Sequence, residues 1–363
     1  MAESFYKTLD GATDIVDTRT LLHEAIPLTG TIVSGTYSDE NIKNYAHGMF
    51  QSVYDYPFLS SSANHVFDIT VGVSTKGLTV TNQASKKRNI YNQMAQMLMG
   101  YDATGSILRF DQDGNIAGGG AKLDNVFFLN FSRLLVKDEI KKGSFQIDFG
   151  VKDEFTSDKF THRLKLQDTS GSDGFLVNSP AGEYGILFAT GSTTTNNVMH
   201  LGTPQPVGLL FYQAGIAVIS GSIFNDAAIG GILNNSSPIE TTQMGTNFGP
   251  TGFNHVTAST IQATADAIRA RIYNIQFNNT VELNSTIYFC RMNHNEFNYS
   301  TNPTYLSGSK IRVKTKTSDV PISYITTIGL YNDNNELMAV AKLSEPLRKD
   351  PSQEYTIRAR LDY

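Results

Sequence analysis

Tryptophan is absent from this 363-residue chain, and cysteine occurs once, at Cys290. A single cysteine excludes an internal disulfide framework, which fits folding in a reducing compartment. Charge is scarce as well. Asp, Glu, Lys and Arg make up 17% of residues, against roughly 25% in ordinary soluble domains. No basic stripe exists. The densest cationic cluster is Lys86-Lys87-Arg88, and the net charge is −5, so no nucleic-acid partner is expected. No run approaches the roughly 18 apolar residues that cross a bilayer, so no membrane span is expected. Met1–Asp10 lacks the apolar segment of a signal peptide.

Motifs of chemistry are equally sparse. The seven histidines, His23, His47, His65, His162, His200, His255 and His294, show no metal-ligand spacing. Asp111-Gln112-Asp113-Gly114-Asn115 resembles the start of a calcium loop, but glycine falls at position 4 and Lys122 at position 12, where the loop needs glycine at 6 and a bidentate Glu at 12. It reads as a hairpin turn. Gly118-Gly119-Gly120 lacks the Gly-Lys-Ser/Thr ending of a phosphate loop. Cys290 and His294 are four apart, on a strand and its following turn, without an Asn or Asp partner in a recognisable frame. Cys290 reads as a small buried hydrophobe. Asp138-Glu139 and Asp153-Glu154 read as exposed turns. No catalytic, cofactor-binding or metal residue is assigned, and the chain is expected not to be an enzyme.

What is abundant is Asn, Ser, Thr and Gly. Two segments have helical periodicity. Ile42, Tyr45, Ala46, Met49, Phe50 and Val53 form one apolar stripe over about 39–55. Ile90, Met94, Met97, Leu98 and Tyr101 form another over about 82–100, with Lys86-Lys87-Arg88 as a solvated face or a contact to an acidic partner. Beyond Gly105 short apolar runs alternate with turns: 107–110, 125–131, 144–149, 185–189, 208–212 and 216–219 read as strands. Residues 258–275 read as helix or as strand. Further on, 281–283 and 286–291 read as a hairpin, 310–315 as a strand, 324–331 and 337–343 as strands around an Asn332–Asn335 turn, and 355–361 as a last strand. The connections 168–183, 190–205 and 220–255 are long and polar, which suggests support from other chains. Leu201, Ile223, Phe224, Ile229, Ile232, Leu233 and Phe248 are their candidate anchors. The expected fold is mainly β (α+β): an antiparallel, β-sandwich-like body with two amphipathic helices and a C-terminal β unit. The expected divisions are 1–37 (extended arm or first strands), 38–279 (body) and 280–363 (C-terminal β unit).

Several stretches carry a resemblance. They are NIKNYAHGMFQSVYDYPFLSSSANHVFDITVG at 41–72, NIYNQMAQMLMGY at 89–101, LNFSRLLVKDEIKKGSF at 129–145, NSPAGEYGIL at 178–187, FYQAGIAVI at 211–219 and NEFNYSTNPTYLSGSKIRV at 295–313. Together they resemble virion structural proteins of T4-like marine and cyanobacterial myoviruses. TTIGLYNDNNELMAVAKLSEPL at 326–347 is similar to segments of phage tail and baseplate proteins. The resemblance implies a structural component of a tailed-bacteriophage virion, in the tail or baseplate, assembled in the host cytoplasm. Its implied partners are other virion proteins, copies of itself among them. It implies no cofactor and no metal. A head-associated neck or capsid-surface protein is the alternative, followed by a receptor-binding or glycan-hydrolysing tail protein.

Overall fold

The structure is a computed structural model that describes residues 6–24, 39–115, 120–132, 135, 139–151, 160–171, 173–191, 204–225, 232–233, 252–299, 306–307, 310–311, 316 and 318–362. In chain order the strands are β1 (Ile15–Glu24), β2 (Ile42–Asn44), β3 (Gln51–Tyr54), β4 (His65–Val73), β5 (Asn125–Asn130), β6 (Glu139–Ile140), β7 (Gln146–Gly150), β8 (Arg163–Gln167), β9 (Leu176–Ser179) and β10 (Gly182–Gly191). They continue with β11 (Gln205–Phe211), β12 (Ile216–Ser220), β13 (Ile272–Gln276), β14 (Asn279–Met292), β15 (Leu306–Ser307), β16 (Lys310–Ile311), β17 (Ser323–Tyr331), β18 (Leu337–Lys349) and β19 (Tyr355–Asp362). The helices are α1 (Ala84–Leu98), α2 (Gly252–Ala258) and α3 (Ile261–Arg271). With 45% strand and 14% helix, the fold is mainly β, with antiparallel sheets, few helices and a C-terminal strand unit. Two compact units divide the chain: Leu22–Val281, and Met1–Leu21 together with Glu282–Tyr363.

The larger unit is organised by one sheet of eleven strands in the order β13-β7-β8-β10-β11-β12-β5-β4-β3-β2, with β9 added against β10. Its centre is covered on both faces. In β5, Phe127 and Leu129 point one way and Val126 and Phe128 the other, and all four are buried. Two-faced burial explains why this strand reads as a continuous apolar run with no alternation. Phe128 meets Phe110 at 5.7 Å between ring centres, and Phe110 meets Tyr91 of α1 at 5.3 Å. On the opposite face Phe127 meets Phe149 at 5.9 Å and Phe224 at 6.3 Å. Helix α1 lies so close to β4 that a Cβ at Gly72 would stand 2.9 Å from the Phe128 ring and 3.1 Å from the Tyr91 backbone. A larger side chain there would push the helix off the sheet.

Several expectations are corrected. The helix expected over 39–55 is a 3-10 turn at Asp39–Asn41 followed by the hairpin β2–β3, with Ile42 opposite Val53 and Asn44 opposite Gln51. Gly48, at φ 62°, lies in its loop. Pairing of β3 with β4 buries Val53 completely, and that tertiary gain overrides a local periodicity that also fits a helix. The helix expected over 82–100 is present as α1 and stops before Gly100 at φ 78°, a left-handed stop. Residues 258–275 contain both alternatives, α3 and then β13. Thr260 caps α3 by accepting from the Ala263 N–H at 3.1 Å. The hairpin expected over 281–291 is the single long strand β14, because β19 pairs with it from Ser285 to Met292 without a break. Residues 107–110 make only an isolated bridge, Ile107 with Tyr101. Asp111–Asn115 does start a hairpin, with Asp111 bridged to Lys122 and Gly114 at φ 77°.

The connection 168–183 packs on its own unit: Asp168 is buried and β9 pairs with β10. Support from another chain is therefore not what orders this stretch. Ile223, Phe224, Ile232 and Leu233 are buried in the unit's own core. Leu201, Ile229 and Phe248 lie outside the described residues, as do 192–203 and 234–251.

Of Lys86-Lys87-Arg88, Lys86 is exposed as expected of a solvated face, whereas Lys87 is buried and Arg88 half-buried. Each side chain reaches a backbone carbonyl: Lys86 that of His47 at 2.6 Å, Lys87 that of Ser259 at 2.5 Å, and Arg88 that of Ser74 at 2.9 Å. Lys87 is fully buried, and burial pushes its ammonium from 10.5 down to about 8. Between those values the unfolded chain binds more protons than the folded one, so this group makes stability rise with pH over about 8 to 10.5. Lys87→Met is expected to abolish that rise in urea unfolding. A pH dependence unchanged from wild type would contradict this role.

Candidate functional site

Among the described residues a cluster of buried ionisable groups lies in the larger unit, on β6, on β10 and on the segments after β6, β8 and β11. Asp168 follows β8, Glu139 lies in β6, Lys142 and Gly143 follow β6, Glu183 lies in β10, and Tyr212 follows β11. Asp168, Glu139 and Tyr212 are almost wholly buried. Lys142 bridges two carboxylates, Glu139 at 2.8 Å and Glu183 at 2.6 Å. Its ammonium also lies over the rings of Phe175 at 5.1 Å and Tyr212 at 5.4 Å. Gly143, held at φ 76°, donates its N–H to Asp168 Oδ2 at 3.0 Å.

Burial pushes the Asp168 carboxyl up to about 6, against the opposing effects of the Gly143 N–H, the Tyr212 hydroxyl and Lys142. Burial, and then the neighbouring carboxylates, push the Tyr212 phenol far upward. A carboxyl that titrates near neutrality beside a phenol and an ammonium has the composition of an acid–base site. One end of it is tightly packed. A Cβ at Gly171 would stand 2.5 Å from Asp168 Oδ2 and 2.6 Å from the Tyr212 hydroxyl, and one at Gly185 would stand 2.1 Å from the same hydroxyl. The glycines bring backbone against these two polar groups, while the side chains of Lys142 and Glu183 at the other end stay partly exposed. Reading Asp138-Glu139 as an exposed turn missed this cluster: Glu139 is buried and paired. The available signal was Lys142-Gly143, a cation followed by a glycine beside the two-residue strand.

A second polar chain runs along β3 and β4. Ser52 Oγ donates to Asp68 Oδ1 at 2.5 Å, His65 Nε2 lies 2.7 Å from the same oxygen, and the Tyr45 hydroxyl lies 3.3 Å from Ser52 Oγ. The carboxylate stands between the hydroxyl and the imidazole. A nucleophile relay needs the imidazole in the middle, so this order does not activate Ser52. His47 is on the β2–β3 loop, stacked on Tyr45 at 5.3 Å.

The remaining sequence candidates are separate. Cys290 is half-buried in β14 opposite Ile357. Burial, and then Asp14, push its thiol upward, the reverse of an activated thiolate. His294 is exposed and pairs with Glu354 at 3.3 Å. Among the described residues no group of three or more His, Cys, Asp or Glu is placed to hold a metal, and no helix is long and apolar enough to cross a membrane. A cavity of about 240 Å³ lies among Lys76, Leu78, Lys122, Asp124 and Ser220, smaller than the roughly 300–1,000 Å³ of ordinary ligand pockets.

The ion cluster has a measurable signature. With its folded value raised from 3.8 to about 6, Asp168 contributes stability that is complete below about pH 4 and lost as pH rises through about 6. Asp168→Asn keeps the shape and cannot ionise. Across that window wild type should therefore lose roughly 3 kcal/mol relative to Asp168→Asn, read from urea midpoints at pH 4, 5, 6 and 7. Parallel pH profiles for the two proteins would contradict the assignment.

Neither a family model, a curated protein nor a solved structure matches this chain.

Proposed function

We propose that this chain is a non-enzymatic structural component of a tailed-bacteriophage virion, placed in the tail or baseplate and acting through contacts with other subunits. The observation that carries the assembly half of this reading is the composition of the smaller unit. It has roughly a hundred residues. Among those described, Ile287, Met292 and Ala359 are its only buried hydrophobic side chains. The contiguous apolar core ends at Phe277, within the other unit. Ten of the sixteen exposed large apolar side chains belong to the smaller unit, Tyr324, Tyr331, Leu337, Met338 and Val340 among them.

Polar contacts hold this unit instead. Lys349 is fully buried and donates to Asn298 Oδ1 at 2.8 Å, Asp350 O at 3.0 Å and His294 O at 3.1 Å. Arg291 pairs with Asp14 at 2.8 Å and Lys7 with Glu296 at 2.6 Å. Solvent-facing pairs of this kind contribute about 0–1 kcal/mol each, while ordering each residue's backbone costs about 1–2 kcal/mol. Three buried apolar side chains, one of them only the methyl of Ala359, oppose that cost weakly. Surface supplied by a neighbouring subunit would offset it.

The virion half rests on the resemblance of the segments quoted above. A head-associated position, in the neck or on the capsid surface, is the second reading, since the quoted segments fit either place. The burial of Asp168 and Glu139 favours a structural over a glycan-hydrolysing role.

Hydrogen exchange tests the assembly reading. In the free chain, amides from Tyr324 to Arg348 should exchange rapidly while those of β4 and β5 are slow. In purified particles the hairpin amides should slow at least a hundredfold. Equal, strong protection of the hairpin in the free chain would remove the need for a partner, and absence of the chain from purified particles would remove the virion.

A further inference from the structure

Among the described residues, strand β18 has a partner on one side only: β17 and β18 form a two-stranded sheet, and no strand pairs with the outer edge of β18. A lone hairpin is marginal in water, and an open edge presents a row of unpaired N–H and C=O groups. The base of this hairpin carries the devices that protect edges: Pro346, the charges of Glu345 and Arg348, and a register shift between Ile325 and Thr327. The distal part carries only a second register shift, between Leu330 and Tyr331, at which Met338 is passed over. Leu337-Met338-Ala339-Val340-Ala341 has no charge and no proline, and Leu337, Met338 and Val340 are 51%, 68% and 52% exposed.

This apolar run is bounded by Glu336 on one side and Lys342 on the other, both exposed. Asn332 Nδ2 donates to Glu336 Oε2 at 2.7 Å, which holds the carboxylate at the start of β18. The segment is therefore complementary to itself in one orientation. Two copies laid antiparallel about a two-fold axis at Ala339 set each Glu336 opposite the other copy's Lys342, Leu337 opposite Ala341, and Met338 opposite Val340. Parallel pairing in register would set like charges together, and an antiparallel register shifted by two residues would set Glu336 opposite Ser344 or Val340 and Lys342 opposite Met338 or Asn334, with no opposite charge across from either. Opposite charges across a strand pair are favourable and like charges unfavourable, so charge selects both direction and register.

We propose that the outer edge of β18 is a self-association site, at which two copies of this chain pair β18 to β18 and join their hairpins into one antiparallel sheet. A symmetric contact of this type closes on itself. The proposal rests on the assembly reading and names a second copy as one of the subunits that reading requires.

The test is the oligomeric state of the full chain by sedimentation equilibrium. Wild type should dimerise. Glu336→Lys and Lys342→Glu should each raise the dimer dissociation constant roughly tenfold, because each places like charges at both ends of the pairing. The double reversal should return it to the wild-type value, and that rescue excludes misfolding as the cause of the single effects. Register is read separately in a Cys290→Ser background. Residues directly opposite in an antiparallel pair lie about 4.5–5.5 Å apart at Cα, within disulfide reach. Ala339→Cys should therefore cross-link two chains on oxidation, whereas Glu345→Cys should not. A monomer at every concentration overturns the self-pairing, as does a dimer that ignores the charge reversals or fails to cross-link through Ala339→Cys. None of these results bears on protection of the hairpin by other virion proteins, so the assembly reading would survive them.

Discussion

Burial of both faces of the central strands is the constraint on which the larger unit depends. Phe127 and Phe128 are neighbours in sequence and point to opposite sides of β5, and each must be covered. One side takes α1, brought to the sheet through the contact of Gly72 with Tyr91. The other takes Phe149, and Phe224 from the 3-10 turn after β12. Once both faces are closed, the loops at the strand ends are pinned. That is why an ammonium such as Lys87 can be buried against backbone carbonyls and a carboxyl such as Asp168 can be held away from water. Each costs stability that the aromatic core must offset.

The smaller unit obeys the opposite rule. Its fixed points are a lysine clasping three oxygens at the base of a hairpin and ion pairs tying residues 7–14 to β14 and the turn after it. Directional polar contacts specify where strands go without contributing much net free energy. Apolar side chains that would ordinarily fill a core lie instead on the surface of the β17–β18 hairpin. The assembly role proposed for this unit would supply, from a neighbouring subunit, the apolar contact that it lacks.

Two clusters within the larger unit carry residue types that invite a catalytic reading. Asp168, Tyr212 and Lys142 have the composition of an acid–base site, and His65, Asp68 and Ser52 that of a relay. In the first case glycine backbone packs against the carboxyl and the phenol. In the second the carboxylate occupies the place of the imidazole. Composition proposes such sites; arrangement decides them.

The sequence by itself determined the class of the fold, helix α1 with its glycine stop, the strands β5, β7, β11 and β12, and the hairpin around Asn332–Asn335. Each is carried by signals that neighbours in the chain supply: periodicity, a left-handed residue, a run bounded by turns. Only the tertiary structure decided that residues 42–54 are two strands, that 279–292 is one, and that Lys87 and Glu139 are buried. Those outcomes turn on partners far along the chain: β4 for β3, β19 for β14, the Ser259 carbonyl for Lys87. The candidate ion cluster was illegible for the same reason. Its members are spread from Glu139 to Tyr212, and a carboxylate such as Glu139 reads as an exposed turn until distant segments bury it together with Lys142, three residues on.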